Sequence, residues 1–264
     1  MTDRIDQALP AEPIFGIPVS AINLGQAVDR ISRWIDRGSR EYVCVTDAHC
    51  IIQAHSNPKI GAIYHSAGMV TPDGMPLVWM CRWAGHKNTS RVYGPDLMQA
   101  VLADPHLRQK RHYFYGGAEG VARKLVANLS QTYPGLTVAG LHCPPFSQYS
   151  DAQMARVIAD INATAPDIIW VGLGAPKQEI WMANNRAALD ASVMVGVGAA
   201  FDFLSGAKPQ APLWMQANGL EWLFRMASEP RRLIPRYAST IPPFIYLAIL
   251  QITGLRRYAA KASS

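Results

Sequence analysis

Charge is scarce in this chain, and so are paired cysteines. Charged residues fill 17% of its 264 positions, below the roughly 25% of an average soluble protein, which points to a large core or to extra apolar surface. Cys44, Cys50, Cys81 and Cys143 are scattered with no CxxC pair, and no histidines stand at HExxH or comparable spacing. Those absences count against zinc and disulfide frameworks and leave reduced, mostly buried thiols, as expected of a cytosolic protein. The opening residues MTDRIDQALPAEP hold no apolar core of the kind a secretion signal needs, so the bulk of the chain is expected in the cytoplasm. Repeats and low-complexity tracts are missing. So is GxGxxG after an early strand with an acid about 20 residues on, which counts against a nicotinamide-dependent oxidoreductase. Acids are the scarcer sign, 19 against 25 lysines and arginines, for a net charge of +6. The excess favours an anionic partner: a phosphate-bearing substrate, nucleic acid or acidic lipid.

What is present alternates. Short apolar runs at 14–19, 42–46, 68–71, 112–115, 137–141, 167–171 and 192–197 are separated by amphipathic stretches at 25–37, 49–57, 76–85, 94–103, 119–132, 152–164 and 177–187. This alternation predicts an α/β fold, a Rossmann-like, largely parallel sheet flanked by helices. After Gly206 the segment AKPQAPLW punctuates the chain and a basic, aromatic, helical tail begins. A boundary near Ala207 divides a catalytic domain, 1–206, from a C-terminal appendage, 207–264. Between Arg225 and Lys261 lie Arg225, Arg231, Arg232, Arg236, Arg256, Arg257 and Lys261, opposed only by Glu229. Its apolar run, Ile241 to Ile252, is about a dozen residues where a spanning helix needs roughly 20. Flanking arginines with Trp222, Phe224, Phe244 and Tyr246 suit a segment lying in the interface of an anionic bilayer; the plainer alternative is a helix packed on the core or on another subunit.

The stretch Ile168 to Arg186, IIWVGLGAPKQEIWMANNR, reads as strand, glycine turn and helix start. Gly172 and Gly174 can bring backbone N–H groups close to a ligand, Pro176 suits a first helical turn, and Lys177 adds a cation beside the helix N-terminus. A bare GxG also occurs in ordinary βα turns, but three long polar side chains, Lys177, Gln178 and Glu179, follow this one, and together they could contact a sugar, a base and a phosphate. Similar turns recur at Tyr115-Gly116-Gly117 and at Val197-Gly198, followed by Phe201 and Asp202, and nucleotides bind outside the carboxyl ends of strands in open α/β sheets. Asp73, held between Pro72 and Gly74 at a strand end, is a candidate base or merely an Asx-turn or cap. Thr46, Asp47 and His49 close the preceding strand likewise, with His49 either in the site or in a core or capping role. Arg91 is a ligand contact or a surface charge.

Six segments together resemble the WecG/TagA/CpsF glycosyltransferase family, glycosyltransferase family 26, from about Ile14 to Arg236. They are TPDGMPLVW at 71–79, RVYGPDLM at 91–98, YFYGG at 113–117, VGLGAPKQE at 171–179, VGVGAAFDFLSG at 195–206 and GLEWLFRMASEPRRLIPR at 219–236. The resemblance implies inverting transfer of a sugar from a UDP-linked donor to a saccharide on undecaprenyl diphosphate. It implies a peripheral enzyme on the cytoplasmic face of the plasma membrane, with an anionic membrane surface as partner, no nucleic acid, and homo-oligomerisation left open. Asp73 matches the proposed general base and Thr46 lies beside it; the segments with Gly172 to Glu179 and Gly198 to Asp202 match the nucleotide-sugar pocket. Arg225, Arg232 and Arg236 match the arginines thought to reach the lipid diphosphate. No DxD motif is present, so metal-independent transfer without a cofactor is expected, with N–H groups, helix dipoles and arginines stabilising the leaving group. Teichoic-acid members carry asparagine two residues after that threonine. Ala48 stands there here, with His49 next, which directs the expectation to the exopolysaccharide branch and UDP-glucose; UDP-ManNAc or UDP-ManNAcA is the alternative, and a non-catalytic scaffold the reading of another class.

Overall fold

Strands that are buried on both faces need apolar side chains at every position, and this explains the unbroken apolar runs. The computed structural model describes residues 9–145 and 149–258. The chain begins with β1 (Ala11–Ile14) and β2 (Ile17–Ser20), then α1 (Leu24–Asp36), β3 (Glu41–Thr46), α2 (Ala48–Ser56), α3 (Pro58–His65) and β4 (Met69–Pro72). Next come α4 (Met75–Trp83), α5 (Gly94–Ala103), the short α6 (Pro105–Arg108), β5 (Arg111–Gly116), α7 (Val121–Thr132) and β6 (Thr137–His142). The sheet is completed through α8 (Asp151–Ala163), β7 (Ile168–Gly172), α9 (Lys177–Asn185), β8 (Val193–Gly196) and α10 (Ala200–Leu204). The tail forms α11 (Leu213–Ala217), α12 (Glu221–Ser228) and α13 (Pro230–Ile252); Lys261 lies outside the described residues.

Six strands form one parallel sheet in the order β4-β3-β8-β7-β5-β6. Alternate residues feed two cores. Tyr42, Cys44, Tyr113, Tyr115, Ile169, Val171 and Met194 pack on one face against α2, α3, α8 and α9. Val43, Val45, Phe114, Ile168, Trp170, Val193 and Val195 pack on the other against α1, α5, α7 and α10. The expected first strand, 14–19, does not join this sheet. Phe15 and Gly16 turn with positive φ, and the run becomes the antiparallel hairpin β1–β2. Ile14, Phe15, Ile17 and Val19 are nonetheless buried, so the apolar signal reported burial beneath other elements rather than a place in the sheet.

At two places in the sheet the helices that follow adjacent strands leave toward opposite faces. After β3 the chain enters α2 on the first face, and after the neighbouring β8 it enters α10 on the second; β7 leads to α9 on the first face and the adjacent β5 to α7 on the second. Such reversals open a crevice at the carboxyl ends of the strands.

Helix α13 extends well beyond the apolar run foreseen from sequence. Its 23 residues are long and apolar enough, by length and composition, to cross a membrane. One stripe of it faces the body instead. Leu233, Thr240, Phe244 and Leu247 are buried, Phe244 meets the Phe15 ring edge-on at 5.2 Å, and the Phe15 N–H donates to Gln251 Oε1 at 3.0 Å. The other side exposes Ile234, Ile241, Ile245, Tyr246 and Ile249. Pro235, Pro242 and Pro243 lie inside the helix. Interior proline costs about 3 kcal/mol per residue relative to alanine, so packing of the buried stripe, rather than intrinsic propensity, holds this helix.

Candidate active site

The ends of β3 and β4 fix the principal acid. The Asp73 N–H donates to the Thr46 carbonyl at 2.9 Å, while the fully buried Thr46 hydroxyl donates to the Cys44 carbonyl at 3.0 Å. Thr46 therefore anchors Asp73 through its backbone. Arg91 arrives from the segment before α5, where Nε donates to the Asp73 carbonyl at 2.6 Å and a terminal nitrogen lies 3.4 Å from the Asp73 carboxylate. That nitrogen is held more closely by Glu221 of α12, at 2.5 Å. Tyr93 completes the arrangement: its ring lies 3.9 Å from the guanidinium carbon and its hydroxyl donates to Glu221 at 2.9 Å. Burial, opposed by Arg91 and reinforced by Glu221 and Asp47, pushes the Asp73 carboxyl up to about 7.

Asp47 caps α2, accepting the Cys50 N–H at 2.9 Å, and pairs with Arg236 of α13 at 2.7 Å. Burial raises its pKa, but Arg236 and the Cys50 N–H outweigh that and hold it below the usual carboxylate value. The buried Arg236 Nε finds no partner among the described residues. Arg225 lies on the Phe203 ring, 5.9 Å from its centroid, and acts on Glu221 and Asp47. Arg232 points elsewhere: it is half-exposed and bonded to Glu229 at 2.6 Å. His49 Nδ1 is 2.7 Å from the Thr240 hydroxyl of α13, and burial, then Arg236, lowers its pKa. It is a neutral tie between α2 and the tail.

The glycine turns meet backbone to backbone. The Gly117 N–H donates to the Gly172 carbonyl at 3.0 Å. A Cβ on Gly116, whose φ is +122°, would lie 2.6 Å from the Gly172 backbone. Phe201 is buried beneath Gly172, forming the floor of the turn. Gly174 has open space around it and is followed by a cis bond to Pro176. Of the three polar residues after this turn, only Lys177 is exposed. Gln178 turns inward, accepting the Gly198 N–H at 2.9 Å and donating to Glu179 at 2.9 Å. Glu179 is fully buried, one oxygen has no partner among the described residues, and burial pushes it up to about 7. The expectation of three side chains presented together to a ligand is corrected here: α9 packs against β3 and β7, which carries Gln178 and Glu179 inside. Asp202 pairs with Lys208 at 3.0 Å.

Asp73, Arg91, Arg225 and Arg236 thus come together with Asp47, Tyr93 and Glu221. The candidates drawn from sequence did not include Glu221 or Tyr93, although each sits within a segment that carried the resemblance, Glu221 four residues before Arg225.

Acid, arginine and glycine turns at the carboxyl ends of a doubly wound parallel sheet define an α/β protein built to take a ligand at its topological switch points. Residues 12–258 match the model of the Glycosyl transferase WecG/TagA/CpsF family, and the chain belongs to that family. It is 30% identical over 216 residues to an N-acetylglucosaminyldiphosphoundecaprenol N-acetyl-beta-D-mannosaminyltransferase of Bacillus spizizenii, covering 79% of this chain and 81% of the relative. Proteins of the same name from Bacillus subtilis and Staphylococcus aureus are 29% and 26% identical, over 88% of this chain and 91% and 90% of their own. These relatives are named for N-acetylmannosaminyl transfer, not for the glucosyl transfer and exopolysaccharide role expected from Ala48.

Proposed function

We propose that this glycosyltransferase moves an N-acetylmannosaminyl residue from a UDP-linked donor to a saccharide on undecaprenyl diphosphate, at the cytoplasmic face of the plasma membrane. Residues 1–206 act as the catalytic domain and the segment from 207 as a membrane-facing appendage. One observation carries the reading: Asp73, with its carboxyl pushed up to about 7, stands among arginines contributed by the core and by the tail. A base of that strength is matched to the proton of an acceptor hydroxyl near neutral pH. Asp73 takes that proton as the oxygen bonds to the anomeric carbon, and the bond from that carbon to UDP breaks on the opposite face, inverting the centre. The backbone at Gly174, which has open space around it, is suited together with Lys177 to the donor phosphates. Arg225 and Arg236 are suited to the charge of a diphosphate, and on this reading transfer needs no metal.

The exposed isoleucines of α13 and the nearby Trp214 and Trp222 support a peripheral seat on an anionic bilayer. A glucosyl donor is the second reading, favoured by Ala48 in place of asparagine. Asp73→Asn tests the enzyme directly. Turnover should fall about 10²–10⁴-fold, the span typical of a general base, while UDP binding by calorimetry persists. Undiminished turnover would remove Asp73 as base, and unchanged polysaccharide output in cells would indicate a scaffold.

A further inference from the structure

Glu221 is buried against Arg91, and it belongs to α12, outside the sheet that carries the other acids. Its two oxygens are both used: one accepts from Arg91 at 2.5 Å, the other from the Tyr93 hydroxyl at 2.9 Å. Arg91 is consequently shared. Its Nε supports the Asp73 backbone carbonyl at 2.6 Å, while its terminal nitrogen divides between two carboxylates, pairing with Asp73 at 3.4 Å and more closely with Glu221 at 2.5 Å. Tyr93 holds the guanidinium from below, with its ring 3.9 Å away.

We propose that Glu221 is a positioning residue for Asp73: by competing for the end of Arg91, it lets the guanidinium hold the Asp73 backbone closely while its pairing with the carboxylate stays long. The inference rests on the reading of Asp73 as base and adds that the base is made ready by an acid from the C-terminal segment. Seating of α12 and basicity of Asp73 then become one event, so that a catalytic domain whose appendage is displaced keeps Asp73 tied to Arg91.

The groups facing Asp73 act in both directions. Arg91, from the segment before α5, and Arg225, from α12, favour its ionised form; Glu221, from α12, and Asp47, at the start of α2, oppose it. Asp96 of α5 feels the same Arg91 and Glu221. Replacing Glu221 by glutamine removes one opposing charge and releases Arg91 toward Asp73, and both changes make Asp73 more acidic.

The test uses the full-length protein with carboxyl-¹³C aspartate, the Asp73 signal being identified by its loss in Asp73→Asn. In Glu221→Gln the Asp73 titration should move down by about one unit, the lower end of the effect of an opposite charge at close range. The acid limb of kcat/KM should follow it. Glu221→Asp, which keeps the charge, should restore most of the shift. An Asp73 titration unchanged in Glu221→Gln would overturn the inference, whatever happens to the rate, because a merely structural Glu221 would lower kcat without moving a titration. Failure of the base reading shows separately, as turnover retained by Asp73→Asn.

Discussion

Two carboxyls displaced to about 7, Asp73 and Glu179, have opposite consequences at the residue scale. Asp73 is 23% exposed and within reach of Arg91, so its ionisation can be used. Since only the ionised form accepts a proton, kcat/KM should rise with pH through a limb near 7 that disappears in Asp73→Asn; a limb near the ordinary aspartate value of 3.8 would contradict the assignment. Glu179 is sealed, with one oxygen unpartnered, and its folded pKa lies above its ordinary 4.5. The folded state therefore binds more protons than the unfolded one, and the stability this supplies is complete below about 4.5 and lost as pH rises through about 7. Glu179→Gln removes the ionisation while preserving shape. Melting temperatures should converge at low pH and favour the variant increasingly toward pH ~8; a constant difference across the range would rule this out.

At the scale of elements, the site is assembled where the tail lies across the sheet. Arg236 of α13 reaches Asp47 at the start of α2, and Thr240 reaches His49 one turn on. With three interior prolines, α13 depends for its order on these contacts together with its buried stripe. Arg236→Ala leaves Asp47 without its cation, a loss of about 3–5 kcal/mol where such a pair is fully enclosed and less here, since both side chains are partly exposed. Hydrogen exchange in α13 should accelerate in this variant before the sheet is affected; uniform protection would show that α13 is held by its apolar stripe alone. The sheet strands were legible because double-sided burial forces apolar runs, as at Ile168–Val171, and glycine marked the turns where backbones touch, as at Gly116 and Gly172. Less was legible where long-range packing decides. The 14–19 run gave no sign that Phe15 and Gly16 would fold it back into a hairpin, α3 (Pro58–His65) is too short for a periodic signal, and Gln178 and Glu179 look like surface residues until α9 is laid on the sheet. Glu221 became visible as a site residue only when α12 brought it 130 positions back to Arg91.

On the scale of the whole molecule, the charge excess and the apolar face of α13 belong to the same end of the chain. Arg231, Arg232, Arg256 and Arg257 lie around exposed Ile234, Ile241, Ile245 and Ile249, a pattern that binds anionic lipid by area and by charge together. Truncation after Gly206 should abolish both liposome binding and transfer, since it removes Arg225, Arg236 and Glu221 from the site as well as the apolar face. Transfer to a lipid acceptor by the truncated chain would separate the appendage from catalysis. The most direct measurement of the central claim is transfer from UDP-ManNAc, UDP-ManNAcA and UDP-glucose to lipid-diphosphate-linked GlcNAc, with chelator present. The account predicts turnover of UDP-ManNAc that is lost in Asp73→Asn. Turnover of UDP-glucose alone would overturn the donor, strict dependence on added Mg²⁺ or Mn²⁺ the metal-free mechanism, and no turnover with no UDP binding the transferase itself.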